Sequence, residues 1–80
     1  MIEKIVIVGT SVETRRMALM VQAASKFMCK IDIETDGRIA NAKSIMGVVS
    51  LGLVSGQEIV IVADGEDEKQ AVSVVEQFLL

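Results

Sequence analysis

Hydrophobic and polar positions divide this chain into alternating strand-like and helix-like segments. Ile2 to Val8 reads I-E-K-I-V-I-V, a short β-branched run closed by Gly9-Thr10, which predicts a strand. From Thr14 to Phe27, Met17, Met20, Val21 and Ala24 recur at i, i+3, i+4 and i+7, the stripe of an amphipathic helix, and the alanine content favours it. Thr14 or Ser11 is the candidate N-cap, and Lys26 falls in the expected last turn, where a cation suits the helix dipole. Lys30 to Thr35 alternates K-I-D-I-E-T, a half-exposed strand with Ile31 and Ile33 inward. Asp36-Gly37 is a strong hairpin signal, and Arg38 to Ala42 is the returning strand.

Periodicity alone leaves Lys43 to Leu53 open between strand and short helix; a short irregular helix with Ser44 as N-cap and Gly52 as stop is favoured. Gln57 to Ala63 is apolar on both faces along most of its length, as a central strand would be. After the turn at Ala63-Asp64-Gly65, Ala71, Val74, Val75 and Phe78 mark a helix over Asp67 to Leu80, with Asp67 and Glu68 at its positive end. The order is β-α-β-β-α-β-α. It predicts an α+β domain over residues 1–80: a four-stranded antiparallel sheet with three helices on one face, an open-faced β-sandwich.

Composition narrows the chemistry. At 80 residues the chain leaves little room for a deep cleft, because a domain this small buries only about 60% of its unfolded surface. The aromatics are Phe27 and Phe78 alone, so the core is aliphatic. A net charge of −3 and a pI near 4.8 give no basic stripe for nucleic acid and disfavour anionic membranes. Cys29 is the single cysteine, so no intrachain disulfide forms, and a small buried hydrophobe is the expected role. No leader-like N-terminus and no apolar run approaching about 20 residues is present, which points to the cytoplasm. Histidine is absent, and with it the usual general base, metal ligand and phosphohistidine; neither a metal nor a cofactor is expected.

Three stretches carry a family resemblance: A-A-S-K-F at Ala23 to Phe27, N-A-K-S-I-M-G-V-V-S-L-G at Asn41 to Gly52, and G-E-D-E at Gly65 to Glu68. Together with the element order they resemble HPr, the phosphocarrier of the bacterial sugar phosphotransferase system, over nearly the whole chain. The family carries G-[IL]-H-A-R-P-A at the start of its first helix. Counted without gaps, E-T-R-R-M at Glu13 to Met17 stands against H-A-R-P-A: Glu13 stands at the histidine position, Arg15 keeps the motif arginine, Arg16 replaces the proline and Met17 the alanine. A carboxylate forms an acyl phosphate only in a site built to shield and position it. An exposed anion instead repels an incoming phosphoryl group. The resemblance is therefore to the histidine-less, Crh-type branch of the family, in which a glutamine fills that position and the serine is kept.

That branch implies a non-catalytic regulator of carbon catabolite repression. It implies that Ser44 is phosphorylated by HPr kinase/phosphorylase, and that Ile45, Met46 and Val49 dock on a LacI-type catabolite repressor or a metabolic enzyme. A phosphate at a helix start meets free N–H groups and the positive dipole end; alternatively Ser44 is a cap alone. Helical spacing groups Ile45, Met46 and Val49, with Val48, Leu51 and Leu53 able to supply the core side; plain core packing is the alternative. Arg15 and Arg16 suit phosphate or partner carboxylates, or are solvated, with Arg15 pairing to Glu13. Glu13 could mimic phosphohistidine through its fixed charge, or mark drift after lost function. Asp67 and Glu68 are helix-start acids that in Crh-type proteins also touch the repressor. Strand exchange to a homodimer is a further implication. Two other readings remain: a phosphocarrier using Glu13, and an interaction module independent of phosphorylation.

Overall fold

The computed structural model describes residues 1–9 and 12–80; Ser11, one candidate cap of the first helix, lies outside them. The elements are β1 (Ile2–Ile7), α1 (Thr14–Ala24), β2 (Lys30–Thr35), β3 (Arg38–Asn41), α2 (Ile45–Ser50), β4 (Glu58–Asp64) and α3 (Glu68–Leu79). This is the expected β-α-β-β-α-β-α order.

The sheet runs β1-β4-β2-β3 and is antiparallel throughout. β4 is central, as its composition predicts. Its two faces differ: Ile59, Ile61 and Ala63 are buried, while Val60 and Val62 are only half-buried. Thr35 pairs with Arg38, so Asp36-Gly37 is a two-residue hairpin loop. Both residues have positive φ, 50° and 73°, the combination that suits the right-handed twist of the flanking strands.

The core packs the inner sheet face (Val6, Ile31, Ile33, Ile59, Ile61) against Met17, Met20, Val21 and Ala24 of α1, Val48 of α2, and Ala71, Val72, Val75 and Leu79 of α3. The α1 stripe is the predicted one. The α3 stripe is rotated: Val72 and Leu79 are buried, whereas Val74 and Phe78 are only half-buried. Cys29 is buried, and that burial is the main cause that pushes its thiol pKa up.

Two expectations at the ends of α1 are corrected. The N-cap is Glu13, not Thr14, and its side chain makes no capping bond. The helix stops at Ala24, not Phe27, because Ser25 Oγ donates to Val21 O at 2.7 Å and the Lys26 and Phe27 amides turn to the Ala23 and Ala24 carbonyls. Lys26 therefore lies outside the last turn. None of the helices has a basic residue in its own last turn. Cations from other elements serve these ends: Arg38 donates to Ser50 O at 3.2 Å and Leu51 O at 2.8 Å after α2, and Arg16 donates to Gln77 O at 3.0 Å and Phe78 O at 2.8 Å in α3.

Candidate functional site

Ser44 is positioned from both sides. Upstream, Asn41 Oδ1 accepts from Lys43 N at 2.8 Å and Asn41 O accepts from Ser44 N at 3.0 Å, a turn that lifts the chain out of β3. Lys43 Nζ donates to Phe27 O at 2.7 Å and ties this turn to the segment after α1. Downstream, Ser44 holds extended backbone angles and its Oγ accepts from Gly47 N at 3.1 Å, so it is the N-cap of α2. The residue is half-buried.

The six residues of α2 then divide cleanly. Val48 is buried and anchors the helix, helped by Leu51 just beyond it. Met46 is 79% exposed, Val49 44% and Ile45 37%, so plain core packing does not hold for these three. A groove of about 190 Å³ runs beside them, lined by Val12, Thr14 and Met17 at the start of α1 and by Val49, Gly52 and Leu53 at the end of α2. Val49 belongs to both features. The aliphatic surface thus extends from the residues after Ser44 to the end of α1 that carries Glu13 and Arg15. Sequence spacing does not reveal this groove, because it forms between elements some 30 residues apart in the chain.

Glu13 and Arg15 are exposed. No ion pair joins them among the described residues. Arg16 is engaged within the molecule: besides its two carbonyl bonds it lies over the Phe78 ring, 5.5 Å from the centroid. The two neighbouring arginines therefore have separate surroundings: Arg15 is exposed, and Arg16 is half-buried and engaged.

Asp67 and Glu68 also have intramolecular partners. Asp67 accepts from Met28 N at 2.9 Å and Cys29 N at 3.0 Å, one carboxylate oxygen to each, and clamps the entry of β2 to the start of α3. Glu68 Oε1 accepts from Gly65 N at 3.1 Å while Oε2 lies 3.2 Å from the Met1 amine. These bonds hold both carboxyls below the usual carboxylate range, chiefly the Met28 amide for Asp67 and the Gly65 amide for Glu68. Among the described residues, no helix is long and apolar enough to cross a membrane.

A family model described as "PTS HPr component phosphorylation site" matches residues 3–80. The HPr-like protein Crh of Halalkalibacterium halodurans is 43% identical over 70 residues, spanning 88% of this chain and 83% of that protein. The crystal structure of the phosphocarrier protein HPr from Bacillus anthracis superposes with a TM-score of 0.93 at 37% identity, covering 99% of this chain and 96% of that one. Crh of Bacillus subtilis, whose crystal structure is described as a domain-swapped dimer, aligns with a TM-score of 0.79 at 38% identity over 92% of this chain and 83% of its own. With the element order, the sheet topology and the K-S-I-M-G cap of α2 all in agreement, this chain belongs to the HPr family as a Crh-like protein.

Proposed function

We propose that this chain is a non-catalytic regulator of carbon catabolite repression. Ser44 is phosphorylated by an HPr kinase/phosphorylase, and the protein then docks through Ile45, Met46, Val49 and Arg15 on a LacI-type catabolite repressor or a metabolic enzyme. The observation that carries this reading is the juxtaposition on α2: a half-buried cap serine followed at once by an exposed aliphatic patch. A phosphate there adds about −1.5 to −2 charges beside an apolar surface and keeps oxygens available to the Gly47 amide. A partner that reads both a charge and an apolar patch would discriminate the two states of Ser44.

Glu13 argues against phosphocarrier activity. It is an exposed carboxylate side chain that makes no capping bond. Arg16, Asp67 and Glu68 act within the fold on this reading. Exchange of a segment between two copies, as in the Bacillus subtilis relative, is proposed for this chain as a second assembly state, and the cytoplasm as its location.

The test is intact mass after incubation with ATP and the HPr kinase of the source organism, beside a Ser44→Ala control. One added phosphate on the wild type and none on the control is expected. No phosphate on either would leave a phosphorylation-independent interaction module. Phosphoryl transfer from the phosphoenolpyruvate-dependent enzyme to Glu13 would overturn the reading altogether.

A further inference from the structure

The helix-free face of the sheet carries exposed aliphatic side chains among its charges, where an antiparallel sheet turned to water ordinarily presents polar residues. Ile5 and Ile7 of β1, 64% and 53% exposed, stand beside Val60 and Glu58 of β4. Val60 pairs onward with Glu34, and Glu34 with Ile39, which is 67% exposed. Direct cross-strand neighbours lie about 5 Å apart, so these side chains form a continuous row.

Charge on this face is predominantly negative. Glu3, Asp32, Glu34, Glu58 and Asp64 point to it, against Lys30 alone. That is a net −4 on one face of a chain whose total is −3, so the rest of the molecule carries a net +1. Lys30 lies 3.8 Å from Asp32 and the Met1 amine 3.9 Å from Asp64. Glu3, Glu34 and Glu58 have no ion-pair partner among the described residues. Glu34 and Glu58 also line a depression of about 330 Å³ together with Ile39, Val60, Asp36 and Arg38, whose guanidinium is engaged with the Ser50 and Leu51 carbonyls. Aliphatic side chains beside the Glu34 and Glu58 carboxylates match a long cationic side chain, whose methylene stem lies on aliphatic surface while its head meets the carboxylates. Arginine fits best, because its planar fork can meet both carboxylates.

We propose that this open face is a second docking surface, distinct from α2, for a basic amphipathic segment of a partner protein that lays an arginine against Ile39 and Val60 with its guanidinium at Glu34 and Glu58. A second copy brought face to face would oppose carboxylate to carboxylate, and an anionic lipid surface would be repelled in the same way. The surface does not depend on the state of Ser44.

The test is amide chemical-shift mapping of the full chain, titrated with a synthetic helix-forming peptide that has leucine on one face and arginine on the other. The expected shifts cluster at Ile5, Ile7, Glu34, Ile39 and Val60, and binding weakens as salt rises. Binding persists in Ser44→Asp and falls by about tenfold or more in a Glu34→Lys/Glu58→Lys variant. A Glu34→Gln/Glu58→Gln variant, which removes charge without reversing it, weakens binding too and guards against misfolding of the reversal. Shifts confined to Ile45, Met46 and Val49, equal binding of a matched glutamate peptide, or no loss in either variant would overturn the proposal.

Discussion

Arg16 Nε donates to the main-chain carbonyl of Phe78 at 2.8 Å, and its guanidinium lies 5.5 Å from the centroid of the same residue's ring. One side chain from α1 thus satisfies the carbonyl end of α3 and covers its half-buried aromatic. Arg16→Ala loses two charge-assisted bonds and the ring contact, and is expected to destabilise the protein by about 1–2 kcal/mol. Arg16→Lys, which keeps the charge but not the fork, falls between. Urea denaturation of the three proteins checks the order. Arg15→Ala, by contrast, leaves stability within about 0.5 kcal/mol because the residue is a solvated surface position.

Ser44 has a structural role alongside its proposed regulatory one, and substitutions separate the two. Ser44→Ala removes the acceptor of the Gly47 amide and costs about 1 kcal/mol, while Ser44→Asp, an equally good cap, stays within a few tenths of the wild type. Thermal denaturation distinguishes them. A Ser44→Ala protein as stable as the wild type would mean that Oγ does not cap α2.

The acid sensitivity of the fold has a definite sign. Asp67 and Glu68 have folded pKa values below their unfolded ones. Each therefore binds fewer protons when folded: its contribution is complete above the unfolded value, near pH 4, and disappears as pH falls through the folded value. Denaturation midpoints of the wild type are expected to fall through that window more steeply than those of Asp67→Asn, which no longer titrates there. Parallel curves would remove Asp67 as a cause.

Gly65 lies where the clamp closes. It has φ 153°, and a Cβ there would stand 2.6 Å from Cys29 Cβ and 2.7 Å from its Cα. Gly65→Ala is expected to cost about 1–3 kcal/mol from the overlap, with backbone strain added. Gly37→Ala meets nothing within 4 Å and bears only the left-handed backbone cost of about 1–2 kcal/mol. Comparing the two by chemical denaturation tests whether the Asp67 junction is as tight as its geometry.

These residues also show what can be read along the chain and what cannot. The buried stripe of α1 and the Asp36-Gly37 hairpin are local patterns, and the chain states them directly. In α3 two apolar stripes fit one helix. The choice of Val72 and Leu79 over Val74 and Phe78 is made by how α3 lies between α1 and the sheet, and it leaves Phe78 beneath Arg16. No glycine or proline marks the end of α1; the stop comes from Ser25 bonding back to Val21, while the Met28 and Cys29 amides are held from 39 and 38 residues away by Asp67. At the candidate site, the cap and the patch on α2 follow from K-S-I-M-G, which lies within a few residues of chain. The groove toward α1 and the internal engagement of Arg16 and Asp67 are cross-element contacts with no local signal, whereas Glu68 bonds to Gly65 only three residues before it.

The central claim is that phosphorylation of Ser44 governs docking through the α2 patch. Calorimetric titration of the LacI-type catabolite repressor of the source organism with the Ser44-phosphorylated and the unphosphorylated protein tests it most directly. Saturable binding is predicted for the phosphorylated form, at least about tenfold tighter than for the unphosphorylated one, as two or three added charge-assisted bonds allow. Equal affinity of the two forms would contradict the claim.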